Sequence, residues 1–456
     1  MTFSQMNFNK IFKLDGGNKR TIQAKKNILA SVFIRGANII IGLLMVSLTI
    51  NYLDTVKYGI WITLSSLIAW FSFFDIGFGN GLRNKFAEAL AENKVDLAKR
   101  LVSTTYFILS LIIIILIGIF IPLSNYIDWN LILNVNQTIV SSYELKLLAI
   151  IIFSLFGLNF VFKLITTILI ANQRPALAAF LTLLGNVLSL IFVIYLLKST
   201  ASSLLYLGFV ISIAPVIILI IATFIFFNGT YKKYRPSYKS IDLKVIPSLF
   251  GLGIKFFIIQ IAAILLYQTN NIIITQICGP QEVTSFNIAF KYFSVLMMLF
   301  SIVISPFWSA FTEASVNKDN KWIINIMKKL FKFWGVLVLL GFIMLVISSW
   351  VYSLWVGEKV IIGFWMSALL LIWTLINTWN SIFSTFLNGV GKVKLQLYIG
   401  ILSALLNIPL AIFLGKQIGL NGIFIANIIV ILFGAFIYPI QYKKLIINGA
   451  KGIWNE

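Results

Sequence analysis

Apolar stretches of about twenty residues follow one another from residue 28 to residue 440, separated by short polar turns. A helix needs roughly 20 largely apolar residues to cross about 30 Å of hydrocarbon. In lipid, a helix satisfies its backbone polar groups within the span. The expected fold is therefore an all-α polytopic membrane protein. Only 11% of the residues are charged and the mean hydropathy is +0.97, against about 25% charged in a soluble domain. Twelve spans are expected, near 28–50, 58–80, 101–123, 146–171, 177–197 and 204–228, then 248–276, 284–310, 331–354, 361–388, 396–415 and 421–440.

The net charge of +22 would point to nucleic acid in a soluble chain. Here its placement follows membrane topology, and no nucleic-acid partner is expected. With the N-terminus inside, 27 Lys and Arg residues fall in the tails and cytoplasmic loops and 5 in the opposite loops. By the positive-inside rule both termini are cytoplasmic. Residues 1–27 are polar and basic without the apolar core of a signal peptide, and read as a cytoplasmic tail.

The chain also reads as two halves: an N-lobe at 28–228, a cytoplasmic linker at 229–247, a C-lobe at 248–440 and a tail at 441–456. Phe86-Ala87-Glu88-Ala89 after the second span has an echo in Phe311-Thr312-Glu313-Ala314 after the eighth. Arg35 in span one precedes Lys255 in span seven by 220 residues, and Leu184-Gly185-Asn186 is matched by Leu405-Leu406-Asn407. Such echoes fit a parallel duplication, with two six-helix lobes related by a pseudo-two-fold along the membrane normal.

Four cations, Arg35, Lys163, Lys255 and Lys291, lie inside apolar spans with no carboxylate within one turn of sequence. A charge there costs about 2.5–3.5 kcal/mol on insertion scales and usually serves a wet cavity. The missing partner is then an anionic ligand; the bland alternative is snorkelling toward the interface, strongest for Lys255. Helical spacing sets Asn38 beside Arg35, Asn159 beside Lys163 and Asn287 beside Lys291, while Gln260 lies further round span seven from Lys255. These eight residues are the candidate substrate contacts. Asp75 is the one acid expected within a span; it either pairs structurally with Arg83 or Arg35, or carries a coupling proton. Trp373, Asn377, Asn380 and Ser384 share a face that suits sugar contact or core packing, and Trp61, Trp350, Tyr352 and Trp355 read as interfacial belt residues. The absence of His and the single Cys278 exclude His catalysis, thiolate metal clusters and an intramolecular disulfide. No catalytic residue, metal site or bound cofactor is expected.

The twelve spans, the segment Phe74-Asp75-Ile76-Gly77-Phe78-Gly79-Asn80-Gly81-Leu82-Arg83 and the turn Leu387-Asn388-Gly389-Val390-Gly391-Lys392 resemble the polysaccharide flippase family. These are the Wzx-type O-antigen and exopolysaccharide transporters of the multidrug/oligosaccharidyl-lipid/polysaccharide exporter superfamily. The resemblance implies a non-enzymatic flippase in the bacterial inner membrane that alternates between inward and outward openings. It implies an undecaprenyl-diphosphate-linked oligosaccharide as substrate, carried to the periplasmic leaflet, with membrane lipids around it and a polysaccharide polymerase and chain-length regulator as partners. It also implies coupling to an H⁺ or Na⁺ gradient or the membrane potential. Lipid diphosphate explains the spans' cations, since Lys and Arg give it charge-assisted hydrogen bonds. The rivals are a multidrug or cation antiporter, which would need acids in the spans, and a membrane glycan polymerase, which would need a large catalytic loop.

Overall fold

The computed structural model describes residues 19–70, 78–172, 174–249, 269–304, 307–358, 360–447 and 449–455. Among them every regular element is helical. The order is α1 (Lys19–Leu53), α2 (Thr55–Ala69), α3 (Phe78–Ala91), α4 (Val95–Leu123), α5 (Trp129–Ile132), α6 (Ser142–Phe162), α7 (Leu164–Ala171), α8 (Pro175–Ser199) and α9 (Leu204–Asn228). Further along come α10 (Thr269–Cys278), α11 (Pro280–Ile304), α12 (Phe307–Val316), α13 (Asn320–Val356), α14 (Phe364–Val390) and α15 (Lys394–Ile446). Nine of these stretches are long and apolar enough to cross a membrane, among the described residues. The 53-residue α15 is two spans merged across a kink, where Gly419 takes φ 64°, a left-handed conformation that glycine adopts without steric cost. Spans two and seven fall partly outside the described residues.

Local chemistry sets the helix boundaries. Asp54, Asp128 and Asp319 accept hydrogen bonds from the first-turn amides of α2, α5 and α13, which leaves fewer orphan donors. Pro175 opens α8 at its first position, where a missing N–H costs nothing. Gly391, at φ 73°, closes α14, and the Lys392 amide bonds back to the Leu387 carbonyl.

By contact the described chain forms two compact units. The first comprises the described parts of Met1–Tyr52, Phe71–Ile127 and Tyr143–Ile258; the second comprises those of Leu53–Trp70, Asp128–Ser142 and Ile259–Glu456. Two segments that chain order assigns to the N-lobe, Leu53–Trp70 and Asp128–Ser142, thus make their contacts within the second unit. In the first unit Leu82 and Phe86 of α3, Leu101 of α4, Ile165 of α7, Tyr231 and Leu249 are all essentially buried in one core. The expected linker is part of that core. Its Tyr231 hydroxyl accepts from Asn172 at 2.8 Å, and Asp242 pairs with Arg100 at 3.0 Å. In the second unit α2 lies along α10 and α11 on small and polar residues. Thr63 and Thr275 hydroxyls meet at 2.6 Å, Thr284 Oγ1 donates to the Thr55 carbonyl, and Gly59 leaves no room for a Cβ beside the Pro280 carbonyl.

Rows of exposed apolar residues, such as Leu111, Ile114, Ile115 and Ile119 on α4 and Leu339, Phe342, Ile343 and Val346 on α13, form faces suited to lipid tails. Of the expected belt residues, Trp350 is exposed, but Trp61 and Tyr352 are buried. Tyr352 lies 3.1 Å from the Ser367 hydroxyl, so packing rather than the interface holds it.

Candidate functional site

In the first unit Arg35 and Asn38 both lie on α1. Asn38 accepts from Asn186 Nδ2 at 2.8 Å and donates to the Ile34 carbonyl at 3.1 Å. Its role there is to tie α1 to α8. Asn407, the sequence counterpart of Asn186, is fully buried and its amide has no hydrogen-bond partner among the described residues. Span four is not continuous: the helix breaks at Lys163, whose side chain is exposed. The Thr166 amide and hydroxyl both bond to the Lys163 carbonyl, and the Lys163 amide bonds to the Asn159 carbonyl. The expected stripe of Asn159, Lys163 and Thr166 is thus joined through backbone, with Thr166 buried and Lys163 outside. Arg83 is exposed on α3. Lys255, Gln260 and Asp75 lie outside the described residues, as does any pairing of Asp75 with Arg83 or Arg35.

In the second unit Lys291 is half-buried on α11 and, among the described residues, forms no ion pair. Ser294 bonds to its carbonyl at 2.8 Å. One turn earlier, Asn287 enters a relay of amides: its Nδ2 donates to Asn271 Oδ1 at 2.9 Å, and Asn271 Nδ2 donates to Ser66 Oγ at 2.7 Å. Beside the relay, Asn427 Nδ2 on α15 donates to Asn270 Oδ1 at 3.1 Å.

These four asparagines wall a cavity of about 270 Å³, completed by Phe286, Phe290, Leu370, Trp373 and Phe424. The aromatic rings hold one another: Phe286 lies 5.1 Å from Phe424, and Phe290 lies 5.6 Å from Trp373, centroid to centroid. Trp373, which is buried, lines this cavity. Its neighbours on that stripe do otherwise, with Asn380 donating to the Ile431 carbonyl and Asn377 to the Trp373 carbonyl. Asn271 and Asn427 stand outside the set of contacts expected from sequence. The available signal is their cost: amides buried inside apolar spans need partners, and Asn270-Asn271 stand adjacent in one.

Apolar outward faces, buried amides and a half-buried lysine inside long helices define a polytopic helical protein of the membrane-transporter class. Residues 24–311 match the family described as polysaccharide biosynthesis protein, and the chain belongs to that family. A Yersinia pseudotuberculosis protein named for O-antigen export is 22% identical over 373 residues, 79% of this chain and 82% of its own length. A Salmonella typhimurium protein named for O-antigen transport is 24% identical over 326 residues, 70% of each chain. Among solved structures, an inward-facing multidrug resistance MATE family transporter of the MOP superfamily aligns with a TM-score of 0.71 at 12% identity, covering 91% of this chain and 96% of its own. The lipid II flippase MurJ, in an inward closed conformation, aligns with a TM-score of 0.70 at 17% identity, covering 91% of this chain and 88% of its own. At these identities the likeness is one of fold.

Proposed function

We propose that this protein is a flippase that moves undecaprenyl-diphosphate-linked oligosaccharide units from the cytoplasmic to the periplasmic leaflet by alternating access. The carrying observation is Lys291, a half-buried cation on an apolar helix that no described carboxylate neutralises. Holding it there costs about 2.5–3.5 kcal/mol. A phosphate oxygen 4 Å away returns about 4 kcal/mol at an effective dielectric of 20. A diphosphate therefore offsets the cost of the lysine that meets it, whereas a neutral or cationic cargo does not. The relatives named for O-antigen export and transport support the same cargo class.

An antiporter of cations or cationic drugs calls for carboxylates well inside its spans. In the described spans the acids are Asp96, Glu144 and Glu282, each in the first turn of its helix. Deletion of the gene tests the proposal: undecaprenyl-linked repeat units should accumulate and disappear again on complementation. Unchanged levels of those units, with surface glycan intact, reject it.

A further inference from the structure

We propose that the asparagine-lined cavity of the second unit is a binding site for one neutral sugar ring, the ring nearest the phosphate of the translocated glycan. This rests on the translocation reading above and adds to it a place and a chemical class.

The walls combine two kinds of surface. Asn270, Asn271, Asn287 and Asn427 supply amides, each with two donors and a carbonyl acceptor. Among the described residues, Asn287 Oδ1 and Asn427 Oδ1 accept no hydrogen bond, and both residues line the cavity. The same walls carry the aromatic rings of Trp373 and Phe290. A sugar ring is built the same way, with hydroxyls around its rim that donate and accept, and C–H groups on its faces that pack on aromatic rings.

Other occupants fit less well. An acyl chain would leave the open amide oxygens unpaired, at the cost of unsatisfied buried polar groups. A hard metal cation takes six or more oxygens, usually with carboxylates among them, and among the described residues this wall has no acid. An acidic sugar would bury its carboxylate without a countercharge from these walls, because among the described residues no Lys or Arg lines the cavity. Volume limits length: 270 Å³ falls just below the roughly 300–1,000 Å³ of sites for drug-sized ligands, so one ring enters and a chain does not.

Position supplies the phosphate. Asn287, Phe290 and Lys291 share one face of α11, and all three are half-buried where most of the other walls are buried. Asn287 and Lys291 are four residues apart, about 6 Å along the axis. A ring seated against Asn287 brings a phosphate on its anomeric carbon within reach of the Lys291 ammonium.

The test uses the purified full-length protein in detergent. Ligand-observed NMR titrations would compare glucose, galactose, mannose, rhamnose and N-acetylglucosamine with their 1-phosphates, and with glucuronate as the acidic control. At least one neutral ring should bind in the millimolar range, and its 1-phosphate about tenfold tighter. Asn427→Leu should weaken both forms by about tenfold or more, whereas Lys291→Ala should remove only the phosphate's advantage. Melting temperatures of the variants guard against misfolding. Should Asn427→Leu fail to fold, Asn287→Leu on a different helix takes its place. Failure of every neutral ring to bind the wild type, unchanged binding in the folded asparagine variant, or glucuronate binding as well as glucose overturns the proposal. If lipid-linked units accumulate in the deletion strain but no ring binds, the pocket assignment alone falls. If they do not accumulate, the translocation reading itself fails.

Discussion

A lysine buried part-way along an apolar helix persists only where something repays its desolvation. Lys291 has no such partner among the described residues, so its charge should matter to transport and not to folding. Lys291→Ala should cut glycan export at least tenfold, about 1.4 kcal/mol of lost interaction, with the protein at normal abundance in the membrane. Lys291→Arg should keep more activity, since the charge remains. Quantitative blotting of surface glycan in a complemented deletion strain checks both, and wild-type export by the alanine variant would refute the phosphate contact. Asn38 calls for the opposite expectation. Its bond from Asn186 at 2.8 Å ties two helices of the first unit, so Asn186→Leu leaves a carbonyl oxygen without its donor, a loss of about 1–3 kcal/mol. Thermal unfolding should show the loss, and Asn38→Leu added to it should cost less than the sum of the singles, because both remove one bond. Strict additivity would mean that the two amides act independently.

Helix α2 separates what a sequence reveals from what only packing decides. Thr55, Gly59, Thr63 and Ser66 recur at helical spacing on one face, and that face meets the carbonyl of Pro280, the hydroxyls of Thr284 and Thr275, and the amide of Asn271. Small residues permit such close approach of helices in a membrane. Gly59→Ala should therefore overpack the seam and lower stability by about 1–3 kcal/mol. Gly118→Ala on α4, where a Cβ meets nothing within 4 Å, should be neutral or mildly stabilising. Equal melting temperatures for the two variants would remove the seam from the account. Apolar length made the spans legible, and Lys416 to Asn421 marked the break that the structure puts at Ile418 and Gly419. The seam was not legible, because its partners lie more than 200 residues apart in sequence and no local pattern says which small residues meet. The break at Lys163 escaped for a related reason: the run from Ser142 to Ala171 is apolar enough to count as one span, and hydropathy does not register a lost helical bond. Among the residues that line the cavity, Asn287 stood out in the sequence through its position beside Lys291, while Asn271 and Asn427 joined it only when α10, α11 and α15 came together.

At the scale of the whole molecule, the hydrophobic pattern is turned outward. Apolar rows that would precipitate a soluble protein are the exposed faces of α4 and α13, and many of the polar groups inside are amides and hydroxyls paired across helices. Composition made that inversion legible from the start; the assignment of α2 and Asp128–Ser142 to the second unit was not, because chain order alone placed them in the first. Orientation in the bilayer is carried by charge: the 27 basic residues on one set of loops and 5 on the other correspond to a large difference in the cost of translocating the two sides. Reporter fusions should accordingly read cytoplasmic after Leu90, Arg235, Asn320 and Ala450, and periplasmic after Val135 and Pro280. The Arg235 fusion is the most informative. That residue sits in the basic connection whose Tyr231 is buried with α3 and α4 in the first unit's core, and an even number of crossings must precede it if it lies on the same side as the N-terminus. A cytoplasmic reading there, with a periplasmic one at Val135, agrees with six spans before the connection. A periplasmic reading at Arg235 would break the count, and the six-plus-six duplication would fall with it.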